Sequence, residues 1–412
     1  MISAPYDVPS LSQKLGVLII IEGTVREDHK RLRITVRVLS ADGFQLSSHR
    51  FETEADEESL LQVEEQIATA FISRARPEQS YVRKRKASPG ALTFAVYPLI
   101  LHAEALLDEG AASNIDAALL KFQEASEVAP AFARSFCGIS HCNSELALRG
   151  ARSSSGLVSQ AKANAQHAIE LDSEMIESYS CLGSAQAMEW DWQNAERNFL
   201  QGIKLGMHVS SSRRYALFLS AMRRFDEASH HLEMAQRIDP FSNRQKVARI
   251  KFQHMTRRYE EGLSEFTKPL IYGPLPVEAR FMLALMAAHL EDRERVRSLI
   301  ESIRPDSGAQ LSMMAGIAEV LALIDDTKQA SHIADTFKLL SADTEISNFR
   351  QALLALAFKD KEHSLSLLTQ AADNREAELV WIDVDPRFDS VRNEPAFVAI
   401  VKRVFSGSKK QQ

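Results

Sequence analysis

The chain repeats itself every 33 or 34 residues, and that period limits what it can fold into more than any single side chain does. The marker is a helix start with an apolar residue four positions on, a small or apolar residue seven on, and often proline twelve on. It reads Ala195–Phe199–Gly202, Ala228–Leu232–Ala235–Pro240, Gly262–Phe266–Pro269–Pro274, Val296–Ile300–Ile303, Ala330–Ala334–Phe337 and Ser364–Leu368–Ala371. Upstream it continues as Ala161–Ala165–Ala168, with Ser173 in the proline place, and as Ala118–Phe122–Ala125–Pro130. Steps of four and three residues stay on one face of an α-helix, so each marker is a packing stripe. Thirty-four residues hold two helices and two turns, and a fixed period of this length means a solenoid of stacked units. Between Ala118 and Ala161 the spacing is 43, nine residues too many, and "RGARSSSG" from Arg149 to Gly156 supplies them as a flexible loop.

These units resemble tetratricopeptide repeats. In the best of them, residues 176–207, Tyr179, Leu182 and Gly183 stand where that family has its aromatic, leucine and glycine. Small residues at Gly183 and Ala195 let the two helices of a unit approach closely, and Phe199 fills the joint with the next unit. Trp190 and Trp192 flank the turn inside this unit as packing and helix-entry residues. The expected fold is mostly α: about eight helix pairs over residues 91–372, wound into a right-handed superhelix. A small α/β domain (1–76) and a basic linker (77–90) precede it, and a capping segment (373–405) and a tail (406–412) follow.

The small domain reads differently. "GVLIIIEGTVRED" is an apolar run broken at Gly23, as in a strand buried on both faces. In "RLRITVRVLS", Leu32, Ile34, Val36 and Val38 alternate with Arg31, Arg33, Thr35 and Arg37, the pattern of a half-exposed antiparallel strand. "ADG" turns the chain into a third strand, Phe44 to Phe51. Glu54, Asp56, Glu57 and Glu58 then open a helix with Leu60, Leu61, Val63, Ile67, Ala70 and Phe71 on its apolar side.

This stretch, from "LSQKLGVLIIIEG" on, is similar to the module that precedes tetratricopeptide repeats in bacterial regulators carrying a winged-helix DNA-binding domain or a class III nucleotide cyclase. "LVWIDVDPRFDSVRNEPAFVAIVKRVF" looks like the segment that closes their arrays, through Trp381, Pro386, Phe388, Asp389, Arg392, Pro395 and Phe397. The resemblance implies a regulatory part of a signalling or transcription system whose effector lies elsewhere. Met1 stands only about ten residues before the first helix, which leaves no room for a recognition helix or for cyclase carboxylates. The alternative is a fragment of a multidomain regulator. The family's small domain normally begins with a further strand. Without it, the Val17–Ile21 strand has an edge for the linker, a second copy of the chain or a strand-donating partner to cover.

A net charge of −6 argues against nucleic acid as the main ligand. Three cysteines are too few for a disulfide framework, and no apolar run approaches 18 residues, so a cytoplasmic protein is expected. Cys137, His141 and Cys142 share a helix at i, i+4 and i+5, a spacing open to three metal ligands but without a fourth, and buried cysteine is the ordinary reading. His230 and His231 read as solvated surface. No Gly-x-Ser-x-Gly, phosphate loop or His-Glu-x-x-His occurs, so neither catalytic residues, cofactor nor metal are assigned and no enzyme is expected. The run Arg83, Lys84, Arg85 and Lys86 reads as a solvated linker. In a solenoid the first helix of each unit lines the concave groove. On the helix from Asn243 to Met255 the exposed face holds Arg244, Val247, Lys251 and His254, and the preceding unit adds Arg213 and Arg214. Arg213, Arg244, Lys251 and His254 are therefore the candidate groove residues for an acidic peptide of a protein partner, with Arg244 and Lys251 pointing into solvent.

Overall fold

The described residues in the first three places of each marker lie on α-helices, save Ile303 at a helix end. All of these are buried except Ile300 and Ala334, which are half-buried; of the fourth-place residues that are described, Pro130 and Ser173 are exposed in turns. The computed structural model describes residues 7–15, 19–28, 31–40, 42–54, 63, 66, 96–109, 112–150, 154–239, 242–266, 275–303, 310–340 and 346–406. Its contacts separate two units: residues 1–98 with 128–131 and 269–274, and the remainder from 99 to 412.

The first unit holds helix α1 (Val8–Leu15) and strands β1 (Ile19–Asp28), β2 (Arg31–Ser40) and β3 (Gln45–Glu54). The strands form one antiparallel sheet in the order β1-β2-β3, with Ile21 opposite Val38 and Ile34 opposite Phe51. Leu32, Val36 and Val38 of the central strand are buried, as their alternation requires. Strand β1 departs from its expected double burial: Ile21 is 56% and Val25 63% exposed, because β1 is an edge strand and that face is uncovered among the described residues. The helix expected after Glu54 falls almost wholly outside the described residues, as does the basic run Arg83–Lys86. Val63 and Gln66 alone are described there, both helical.

The second unit is an α-solenoid of tetratricopeptide-like pairs. Helices α2 (Val96–Glu109) and α3 (Ala112–Val128) come first. They are followed by α4 (Ala133–Leu148) with α5 (Ser154–Leu171), and α6 (Ile176–Met188) with α7 (Trp192–Leu205). Next stand α8 (Val209–Ala221) with α9 (Phe225–Ile238), and α10 (Asn243–Met255) with α11 (Tyr259–Phe266). The last pairs are α12 (Val277–His289) with α13 (Arg293–Ser302), α14 (Gln310–Leu323) with α15 (Thr327–Leu340), and α16 (Asn348–Ala357) with α17 (Lys361–Asp373). The even-numbered helices from α4 to α16 pack side by side as an inner wall. None of the described helices is long and apolar enough to cross a membrane.

The turn inside each pair is as periodic as the helices. Trp190, Arg223, Arg257, Glu291, Asp325 and Lys359 all have positive φ, near 60°. At each, the amide of the following residue reaches back five residues, as Asp191 N–H does to Gln186 and Asp360 N–H to Ala355. This is the Schellman closure, which usually takes glycine. Aspartate next to the turn then caps the second helix at Asp191, Asp292 and Asp360, each accepting an amide three residues on.

The stack does not end where it stops repeating. After α17 the chain makes two short 3₁₀ turns (Ala377–Trp381 and Pro386–Phe388) and a final helix α18 (Pro395–Val404). The first of these turns packs on α4, α5 and α6, far upstream in sequence. Trp192 donates its indole N–H to Val404 O at 2.8 Å and stacks on Phe405 at 4.8 Å. At the opposite seam, Ser347 N–H bonds Gly150 O at 3.0 Å, Arg350 Nε–H bonds Arg149 O at 2.6 Å, and Ala377 N–H bonds Ser154 Oγ at 3.3 Å. The described ends of the "RGARSSSG" insertion are therefore a junction and not a free loop. The closing segment does more than cap α17: it joins the last pair to the second and third.

Gly150 fixes the seam. Its φ is +60°, and a Cβ there would overlap the Glu378 carboxylate and the Ser347 hydroxyl. Gly150→Val should therefore destabilise the protein by about 2–4 kcal/mol, from left-handed strain and displacement of buried polar groups. Urea melts that coincide with the parent's would show that the seam tolerates a side chain.

Candidate functional site

The inner wall and the closing segment line a cavity of about 200 Å³, and all four candidate groove residues contribute to it. Arg213 comes from α8, while Arg244, Lys251 and His254 come from successive turns of α10. Closure also brings in Arg149 from the end of α4, Glu278 from α12, Arg350 from α16, and Trp381, Asp385 and Arg387 from the closing segment.

These residues are drawn into a recessed interior and do not stand on a fully exposed face. Arg213 is only 6% exposed, and its Nη2 is buried without a hydrogen-bond partner. Burial, together with Arg244 and Arg214, pulls its guanidinium down to about 9. Lys251 and Arg244 are half-buried, contrary to the expectation that they point into solvent. Lys251 Nζ sits 4.3 Å from the centroid of the Trp381 ring, a cation–π contact. Arg244 Nε lies 3.8 Å from Asp108 Oδ1. The reason is the closing segment, which covers a face that an open solenoid would leave wet. His254 is 2% exposed with Nε2 unpartnered. Burial pushes its imidazole down to about 3, so it is neutral at physiological pH and adds no cationic charge.

Most other charges are matched. Arg149 Nη2 meets Glu278 at 3.1 Å. Arg387 holds Asp385 at 2.6 Å and Glu319 at 3.3 Å, and Arg387, set against the burial that would raise it, keeps Asp385 well below the usual carboxylate range. Glu376 caps α16 by accepting the amides of Asn348 and Phe349, both at 2.9 Å. Glu378 accepts the Ser347 hydroxyl at 2.7 Å, and burial, opposed by Arg350, raises it to about 7.

The metal-spaced trio does not gather. Cys137 Sγ faces Cys181 Sγ at 3.4 Å across α4 and α6, His141 meets Arg214, and Cys142 is fully buried with its thiol pushed up by burial. Among the described residues no three His, Cys, Asp or Glu side chains are placed to hold a metal ion. His231 is not solvated surface either. It is half-buried with its ring edge-on to Tyr215 at 4.9 Å, while His230 is exposed.

The buried histidines give the stability a pH dependence. Burial lowers His254, His141 and His289 below their usual value. Between about 6.5 and the depressed value, the unfolded chain binds a proton that the folded chain does not. Stability is therefore full above about 6.5 and falls below it by up to ~1.4 kcal/mol per pH unit for each histidine. Glu378 and Glu319 are raised by burial and act in the opposite sense, gaining stability as pH falls toward about 4.3. Thermal midpoints should therefore drop from pH 6.5 to 5, and His254→Leu should flatten that slope by about one histidine's share. An unchanged slope in the variant would place His254 in contact with solvent.

No protein-family model and no curated protein matches the chain. Solved structures similar to it include the human IFIT1 dimer with PPP-AAAA, at TM-score 0.49 and 13% identity over 83% of this chain and 78% of that one. Yeast Tom70 gives TM-score 0.41 at 12% identity, over 84% and 76%. YrrB, a TPR protein with an unusual peptide-binding site, gives TM-score 0.29 at 18% identity, over 47% and 96%. The tetratricopeptide-like architecture stands on the chain's own helix pairs, turns and inner wall.

Proposed function

We propose that the protein is a non-enzymatic interaction scaffold that takes an acidic segment of a protein partner into its lumen. Arg213 carries this reading. A guanidinium buried with no ionic partner among the described residues costs free energy, and a bound anion would offset that cost. Lys251, Arg244 and the other lining residues then orient the segment, and the αL turns and helix pairs hold the wall rigid around it. The likeness of both chain ends to bacterial regulators supports a place in cytoplasmic signalling or transcription control, with the effector on another polypeptide or on a larger form of this one. The exposed face of β1 and its edge position among the described strands are consistent with a second contact, to another copy or to a strand-donating partner.

Fluorescence anisotropy with a labelled, extended Asp/Glu-rich peptide and its Asn/Gln counterpart tests the reading. The acidic peptide should bind at least about tenfold more tightly, weaken with salt, and lose that margin in Lys251→Gln. Equal binding of the two peptides would contradict it.

A further inference from the structure

The cavity has two chemically distinct walls. From α8 and α10 it receives Arg213 and Lys251; from α12 and α14, next along the stack, it receives Phe281, Met282 and Met313. The Phe281 ring lies directly against Gly316, where a Cβ would come within 2.7 Å of it, so the glycine sets the position of that wall. Methionines give an apolar surface that adapts to the shape of what it meets.

Among the described residues no ion pair engages three of the cavity's cations, Arg213, Lys251 and Arg350; Arg350 bonds the Arg149 carbonyl, and the Glu145 carboxylate attracts Arg213 and Lys251 without pairing with either. Arg149 has Glu278, Arg387 has Asp385 and Glu319, and Arg244 has Asp108. Arg213 has a buried, unpartnered Nη2, and Lys251 rests on the Trp381 ring. Trp381, Asp385 and Arg387 of the closing segment line the cavity on this side. An α-helix about 10 Å across cannot enter a cavity of about 200 Å³. A cavity of ~150 Å³ is enough to hold a benzene ring, so a small aromatic or aliphatic body fits this one.

We propose that this cavity binds a small organic acid, its carboxylate taken by Arg213 and Lys251 and its apolar body packed on Phe281, Met282 and Met313. The inference rests on the lumen being the binding surface, and it changes what fills the deep end: a free metabolite-sized anion where the scaffold reading has a partner's side chain. A bound acid would neutralise the Arg213 guanidinium, which no carboxylate pairs with among the described residues, and would brace the inner wall against which a partner docks.

Calorimetric titration and thermal melts of the full chain with phenylacetate and octanoate test this, with phenylacetamide, octanamide and acetate as controls. At least one of the two acids should bind one per chain and raise the thermal midpoint. The amides, lacking the charge, and acetate, lacking the body, should each bind at least about tenfold more weakly. Arg213→Met should remove the preference for acid over amide, and Phe281→Ala the preference for phenylacetate or octanoate over acetate, with circular dichroism confirming helicity in both. Absence of binding by both acids up to ~10 mM, or equal binding of acid and amide, would overturn the proposal. Acidic-peptide binding without small-acid binding would overturn it while sparing the scaffold reading. Small-acid binding without peptide binding would do the reverse.

Discussion

Arg213→Met should make the free protein more stable while abolishing its affinity for anions. A mutation that removes a charge usually costs stability when it breaks a pair, because the partner is left buried alone. Here no carboxylate among the described residues lies within ion-pair distance of Arg213 to lose its match, although Glu145 and Asp108 attract it from farther off. Arg213 is 6% exposed with Nη2 orphaned, and the Arg214 and Arg244 guanidiniums nearby repel it. Met keeps much of the apolar stem and removes the buried charge, so the gain should be about 1–3 kcal/mol in chemical denaturation. Arg213→Lys should retain anion binding in part, since it keeps the charge and loses the fork. A destabilised Arg213→Met protein would mean that the guanidinium holds the wall together, and the cavity would then lose its claim to a ligand.

Removing residues 374–412 should cost the protein its cooperative fold. Leu379, Ile382, Phe388, Val391, Phe397 and Val404 are no more than 1% exposed. At ~1.5–3 kcal/mol for each large apolar side chain, their loss is on the order of 10 kcal/mol, comparable with the whole stability of a domain. In an open solenoid the damage would stop at the last pair. Here the deletion also strips Trp192 of Phe405 and of the Val404 carbonyl, and removes the Glu376 carboxylate that caps α16. The expected product is a chain that keeps helical circular dichroism, loses its near-ultraviolet signal and aggregates. A soluble monomer with the parental melting temperature would reduce the segment to a tail.

The period was legible because it records contacts repeated in every unit. Ala195, Ala228 and Ala330 are small because a second helix crosses there, and all three are completely buried. The turn inside each unit was less visible. Trp190, Arg223 and Lys359 occupy left-handed positions that glycine marks in most proteins, so only their recurrence gives them away. The seam left no signal at all. Closure depends on a small rotation accumulated over seven packed pairs, which no single unit encodes. For the same reason the α10 stripe of Arg244, Lys251 and His254 could be placed on the inner face, while its burial could not: Trp381, which covers Lys251, lies 130 residues away. β1 misled for a different reason, since an apolar run states a preference for burial without showing what is available to cover it.

Hydrogen exchange on a Phe405→Ala variant tests most directly whether the closing segment binds the beginning of the stack to its end. Phe405 touches Trp192 by stacking, and Trp192 in turn lies 6.2 Å from Phe218 of α8, ring centre to ring centre. If the superhelix is closed, protection should fall along α6, α7 and α8 as well as in α17 and α18, nearly two hundred residues from one another in sequence. Loss of protection confined to α17 and α18 would contradict the closed architecture, and with it the cavity on which the proposed binding rests.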